Sequence, residues 1–247
     1  MVAKIQASGY NPAMKTLFGQ FLDLIFPPRC FICKKYSDQI MCGDCMGRVA
    51  RIKLPVCRIC GKPFDGYFAG DICGDCLAKH PPFIMARSAS LYEGVMKDAI
   101  HKFKFGGKKA LSSLLGQYLI SYLDHGDIHL ADIDLIVPVP LSMKRERDRG
   151  YNQSKLLAEE ISRRYSKEID CSSLVKIKDI TPQFDLTREK RLMNVKGAFK
   201  CAQMKAANVL LIDDIYTTGA TAMESSSVLK AAGAGNVHVL TLARAIN

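Results

Sequence analysis

Two neighbouring acids followed by a run of small hydroxyl residues carry the strongest chemical signal in the chain, within Val209-Leu-Leu-Ile-Asp-Asp-Ile-Tyr-Thr-Thr-Gly-Ala-Thr221. The apolar run Val209–Ile212 predicts a strand buried on both faces. Asp213 and Asp214 then fall at its carboxyl end, and a helix is predicted over 222–232. Between them Gly219 lets the backbone turn close to a ligand. Successive N–H groups and a helix N-terminus attract an anion. Thr217, Thr218 and Thr221 add hydroxyl donors. Paired carboxylates beside an anion site must hold hydroxyls or a cation. A phosphorylated sugar, with Mg²⁺, meets both requirements. The spacing is not that of a P-loop, which needs Gly-x-x-x-x-Gly-Lys. The plain alternative is an ordinary strand-to-helix turn.

Two cationic stretches could serve the same chemistry. Lys144-Arg-Glu-Arg-Asp-Arg149 places four cations in six residues. They lie just beyond an apolar strand predicted at 134–141, whose end Pro138 and Pro140 mark. Ligands of open α/β sheets bind at carboxyl ends of strands, and arginine grips phosphate oxygens bidentately. A solvated charged loop is the alternative. Lys102, Lys104, Lys108 and Lys109 surround Phe103 and Phe105. That mixture suits nucleic acid, through phosphate contacts and base stacking, and equally suits a solvated helix end.

Of the ten cysteines, eight form four Cys-x-x-Cys pairs. Cys30, Cys33, Cys42 and Cys45 make a first quartet with a tight gap. Cys57, Cys60, Cys73 and Cys76 make a second, ribbon-like one. Each can supply four thiolates to one zinc, a closed and therefore structural site. The internal repeat argues for two tandem sites, with pairs crossed between quartets as the alternative. Cys171 and Cys201 stand alone and read as small buried residues.

The elements that must position these groups follow from periodicity. A tail over 1–9 precedes a helix at 11–26, started by Asn11-Pro12 and ended by Pro27-Pro28. Met14, Leu17, Phe18, Phe21, Leu22 and Ile25 give it one apolar stripe, suited to packing on the body or to a partner or membrane surface. A zinc module over 27–82 leads into a larger unit over 83–247. There the pattern predicts a strand at 89–92, a helix at 95–105 with Ile100 and Phe103 inward, and a helix at 108–125. A helix at 155–165 capped by Ser154 comes next, then a strand at 174–178 with Val175 and Ile177 alternating against lysines. A loop at 181–187 and a short basic helix at 188–195 precede the strand at 208–213. Gly233 ends the helix that follows, and the last predicted strand is 237–242. Strands alternating with helices imply a mainly parallel α/β sheet.

Composition sets the bounds. The 247 residues are 48% hydrophobic and 24% charged, as in a globular protein. No apolar run reaches membrane-spanning length, and Met1–Gly9 lacks the apolar core of a secretory signal. A cytoplasmic protein is expected, with attachment at the inner membrane face as an alternative. The formal charge is +11. Two Cys₄ zinc sites at about −2 each would lower it to about +7, still basic enough to favour phosphate-rich partners.

The 209–221 run resembles the 5-phosphoribosyl-1-pyrophosphate (PRPP) motif of type I phosphoribosyltransferases. More widely, the chain resembles the ComF family of competence proteins, which join a cysteine-rich zinc-binding front to a phosphoribosyltransferase-type body. The likeness is carried by Val137-Pro-Val-Pro-Leu141, Arg147-Asp-Arg-Gly-Tyr-Asn-Gln153 and Thr181-Pro-Gln183 with Leu186 and Arg188. Arg191-x-x-Asn194-Val-x-Gly-Ala-Phe199 and the acid-pair run complete it. Asp148 and Tyr151 are conservative departures from the usual Arg-Glu-Arg-Gly-Phe-Asn-Gln. The resemblance implies a Rossmann-like sheet of phosphoribosyltransferase kind. It places PRPP on Asp213, Asp214, Thr217, Thr218, Gly219, Ala220 and Thr221. Pyrophosphate falls to Pro140, Leu141, Arg145, Arg147 and Arg149, with Mg²⁺. It also implies handling of single-stranded DNA in natural transformation and a partner helicase. Two other readings remain beside that one: phosphoribosyl transfer to an acceptor the sequence does not name, and a zinc-module adaptor for the helicase. Only about five residues follow the last predicted strand, so a cover for the site is expected from residues 1–110 or 179–199.

Overall fold

A computed structural model describes residues 27–64, 70–179 and 194–246. The predicted helix at 11–26 and the predicted loop and basic helix between 181 and 193 lie outside these residues. At the N-terminal end, two short helices, α1 (Gly43–Gly47) and α2 (Gly74–Lys79), each begin just after the third cysteine of a quartet. The body then runs β1 (Met85–Leu91), α3 (Gly94–Phe105), α4 (Leu111–Leu123), β2 (Leu135–Pro138), α5 (Met143–Arg149), α6 (Gln153–Tyr165) and β3 (Glu168–Ile169). A hairpin of β4 (Leu174–Lys176) and β5 (Phe199–Cys201) follows, then β6 (Asn208–Tyr216), α7 (Ala220–Ala231) and β7 (Asn236–Arg244).

The main sheet has the order β1-β7-β6-β2-β3, and every neighbouring pair is parallel. This bears out the expected α/β class with cysteine modules at the N-terminal end. β2 leads outward to β3, whereas β6 leads the opposite way to β7. The order therefore reverses between β2 and β6, which is where such sheets bind ligands. The two-stranded β4–β5 hairpin is antiparallel and separate from this sheet, so the strand expected at 174–178 does not join it.

Both faces of the sheet are covered. Leu210 and Ile212 pack in one buried cluster with Ile100, Leu115 and Leu157 from α3, α4 and α6. Val209 and Leu211 alternate onto the other face, in a cluster with Leu229 of α7 and Phe199 of β5. Each cluster also takes in cysteines, Cys30 and Cys45 in the first and Cys57, Cys60, Cys73 and Cys76 in the second. The N-terminal segment also bonds along β1: Leu91 N–H donates to Ala50 O at 2.9 Å and Ala86 N–H to Ile59 O at 2.6 Å.

Local causes explain the element ends. Asn152, not Ser154, caps α6, its side chain accepting from Lys155 N–H. Ser142 caps α5 in the same way, and Gly150, at φ 78°, ends it. The cationic stretch at 144–149 thus lies in a short helix, not in the solvated loop that was its alternative reading. Cys171 is exposed and Cys201 half-buried, correcting the expectation that both are buried.

Candidate functional site

β2 pairs with β6 from Leu135–Val209 to Pro138–Ile212, and no further. Pro138 and Pro140 are suited to ending a strand, since proline supplies no N–H to a ladder. β6 runs on to Tyr216, paired only with β7. Asp213 and Asp214 therefore lie within β6, not past its end, at the point where its neighbour turns away. A crevice opens there. Asp213 lines it, with Val139 of the β2–α5 connection, Thr217 and Gly219 of the β6–α7 connection and Thr221 of α7.

Asp213 Oδ1 accepts from Ser154 Oγ at 3.0 Å and from the Asp214 N–H at 2.9 Å. Burial, reinforced by the adjacent Asp214, pushes its carboxyl up to about 7. Asp214 instead pairs with Lys104 Nζ at 2.8 Å, with side chains 11% and 18% exposed. α3 thus reaches over the acids by its last turn.

The loop after β6 makes a tight turn. Gly219 sits at φ 79°, where a Cβ would collide with Tyr216 Oη. Thr218 is buried, and its Oγ1 accepts from Ala220 N–H at 3.4 Å. The N-cap Gly219 offers no side-chain bond, so apart from Ala220 the first-turn N–H groups of α7 are left to other partners. Asp213, Tyr216, Thr217, Gly219, Thr221 and Thr241 line a cavity of about 20 Å³, room for one water-sized group.

Cations gather near the two acids. Arg149 donates to Gln153 Oε1 at 3.1 Å and lies 5.0 Å from the Phe105 ring centre. Burial pulls its guanidinium below the ordinary value, and Asp214 opposes that. Lys176 lies 5.3 Å from the Phe199 ring centre. Burial pulls its ammonium down, Arg145 adds to this, and Asp213 and Asp179 oppose it. Asp179 accepts a short hydrogen bond from Ser142 Oγ. Arg147 points outward and is exposed. Pro140 and Leu141 form the β2–α5 connection, half-buried.

The expected nucleic-acid patch divides. Phe103 is fully buried and accepts a bond from Tyr151 Oη to its backbone oxygen at 2.6 Å. It is a core residue that cannot stack on a base, and the expectation is corrected. Lys104 faces the acids. Lys102 Nζ donates to Phe31 O at 2.8 Å, and Lys108 Nζ lies 5.6 Å from the Phe31 ring. Phe105, 63% exposed, and Lys109 remain on the surface. Sequence reasoning missed Lys176, Ser142, Ser154 and Tyr216. Val175 and Ile177 do alternate against lysine, but both are exposed and Lys176 is the half-buried one.

The cysteines gather within quartets, not across them. In each set all four Sγ atoms lie within 4.8 Å of one another, with Cys33–Cys42 at 3.6 Å and Cys60–Cys73 at 3.7 Å. Zinc–sulfur bonds of about 2.3 Å in a tetrahedron require sulfurs about 3.8 Å apart, so both sets fit the metal. Backbone N–H groups of Ile32 and Cys42 aim at Cys30 Sγ, and those of Cys60 and Cys73 at Cys57 Sγ. Burial raises the Cys30 thiol, but these amide bonds outweigh it and bring it down to about 6. No comparable three-ligand set includes Asp213 or Asp214 among the described residues.

A parallel sheet with a ligand-type switch point, preceded by two Cys₄ sites, defines an α/β protein built onto a double zinc ribbon. Residues 21–77 match the family described as double zinc ribbon domain. Competence protein F of Haemophilus influenzae is 32% identical over 225 residues, 88% of this chain and 97% of that one. The DNA utilization protein YhgH of Escherichia coli K12 is 29% identical, over 90% of this chain and all of the other. Competence protein ComFC of Bacillus subtilis is 28% identical, over 84% and 85%. The chain belongs to the ComF family of competence proteins. The crystal structure of TT1426 from Thermus thermophilus overlays at a TM-score of 0.29 and 17% identity, covering 54% of this chain and 72% of that one, too loosely to argue from. No helix among the described residues is long and apolar enough to cross a membrane.

Proposed function

We propose that this protein holds a phosphoribosyl ligand such as PRPP at the β6–α7 loop and acts in DNA uptake by handling single-stranded DNA. The observation that carries the reading is the placement of Asp213, Asp214 and the Thr217–Thr221 turn together at the reversal of strand order. The 5-phosphate would sit at the cavity mouth, against the Gly219–Thr221 N–H groups and the threonine hydroxyls. The ribose hydroxyls would reach the acids, and Lys104 would give up its bond to Asp214 when they arrive. Pyrophosphate would meet Arg145, Arg149 and Lys176 over the β2–α5 connection. Arg147, exposed, would reach it only by turning inward. Mg²⁺ would come with the pyrophosphate, since this ion is usually held by one or two carboxylates together with substrate phosphates. The zinc module over 27–82 and the body over 83–247 divide the chain by chemistry.

Thermal shift tests the pocket. PRPP with Mg²⁺ is expected to raise the melting temperature of the wild type and not of Asp213→Ala/Asp214→Ala. Equal shifts in both, or none in the wild type, would remove the reading.

The DNA part draws on the relatives' names, on the net positive charge, and on two cation–ring groups, Arg149 over Phe105 and Lys34 with Lys108 over Phe31. Phosphoribosyl transfer is the second reading. It is favoured by Asp213, whose raised carboxyl could carry a proton near neutrality.

A further inference from the structure

Arg244 ends β7 with only 6% of its surface exposed. A buried guanidinium needs a counter-charge. Among the described residues no carboxylate forms a salt bridge with it. Its Nη1 donates to Cys60 O at 2.6 Å, and its Nη2 lies 3.7 Å from Cys60 Sγ. The negative charge it faces is therefore the second thiolate quartet, about −2 in total once zinc is bound. On its other side the guanidinium carbon sits 4.4 Å from the centre of the Tyr216 ring, within cation–π range. Tyr216 lines the cavity at the phosphate loop, and its hydroxyl fills the space a Cβ on Gly219 would need. Its carbonyl accepts from Ala245 N–H at 2.9 Å, which holds the strand end on the same side.

The first quartet supplies an internal contrast. Its cation, Arg48, donates to Cys45 Sγ at 3.3 Å. Arg48 is exposed, however, and the groups that act on it are Cys45, Cys33 and Cys42 of its own quartet.

We infer that Arg244 is a positioning residue that ties the second zinc ribbon to the Tyr216 ring, so that metal at the second quartet, and not at the first, sets the shape of the loop at 217–221. This rests on the reading of that loop as an anion site only for its effect on affinity; the effect on loop order stands apart from it. With zinc absent, the four cysteines are no longer held together and the Cys60 segment that Arg244 bonds is released. The guanidinium then moves, the ring loses its cover, and the turn built on the ring loosens.

The test uses full-length protein and two readouts: amide hydrogen exchange over 216–221, and calorimetric titration with PRPP and Mg²⁺. Cys73→Ser breaks the second site without touching an Arg244 contact, and Cys33→Ser breaks the first. Arg244→Met removes the charge at similar size and should retain about two zinc ions. Cys73→Ser and Arg244→Met are each expected to speed exchange over 216–221 and weaken PRPP on the order of tenfold. Cys33→Ser should change neither, and Arg244→Lys should recover part of the affinity. Exchange over Val209–Ile212 reports whether a variant is folded. If Arg244→Met does not fold, Tyr216→Leu decides, with both zinc ions kept and the same loosening expected. Equal loosening by Cys33→Ser, or unchanged exchange in folded Arg244→Met or Tyr216→Leu, overturns the inference. A wild type indifferent to PRPP removes the ligand reading, and the exchange comparison still decides the relay.

Discussion

At Asp213, burial and a like charge one residue away act in the same direction, and both favour the protonated form. The folded chain therefore binds this proton more tightly than the unfolded chain, whose carboxyl titrates near about 4. The corresponding stability is complete below that pH and is lost as pH rises through about 7. Asp213→Asn keeps an oxygen for Ser154 and the Asp214 amide but removes the titration. It should match the wild type near pH 4 and exceed it at pH 8, by on the order of a few kcal/mol in chemical denaturation. A difference that does not vary with pH would show that the site does not hold the proton. Asp214 has the opposite arrangement, since Lys104 already answers its charge. Lys104→Met leaves that carboxylate unpaired and should cost about 3 kcal/mol, with most of it recovered in Lys104→Met/Asp214→Asn. The acids and threonines were legible in the sequence because the strand, turn and helix that carry them are contiguous. Lys176 was not, because alternation in a short strand does not say which of its two faces is covered.

Among the elements, α3 separates what one sequence patch had joined. Helical periodicity turns Phe103 to the core and leaves Phe105 outside, beside Arg149. Phe105→Ala should weaken binding of labelled single-stranded DNA, and the binding itself should fall steeply with salt. Phe103→Ala should instead lower the melting temperature, as expected of an emptied core position. Equal DNA loss from both variants at equal stability would contradict this division. The strands β2, β6 and β7 and the helices α3, α4, α6 and α7 followed from apolar runs and 3.6-residue spacing. β3, two residues long, and α5, with no buried residue, gave no such pattern. The cap of α6 was misplaced by two residues because Asn152 and Ser154 are both good caps, and only the fold shows Ser154 turned to Asp213.

For the molecule as a whole, metal is part of the packing. The first quartet contributes to the cluster on one face of the sheet and the second to the cluster on the other. Metal analysis should find about two zinc ions per chain, and a value near zero in protein purified without chelators would refute both sites. The pairing within quartets could not be read from spacing alone, since crossed pairs use the same residues. The bonds from Ala50 and Ile59 to β1 carry a last consequence. β1 is an outer strand of a parallel sheet, and these two carbonyls, presented by the metal-held segment, mask its otherwise unpaired amides. Chelation would uncover a template for strand addition between molecules. Zinc would then act as a safeguard against self-association, and a stripped sample should grow in light scattering before its helical signal is lost.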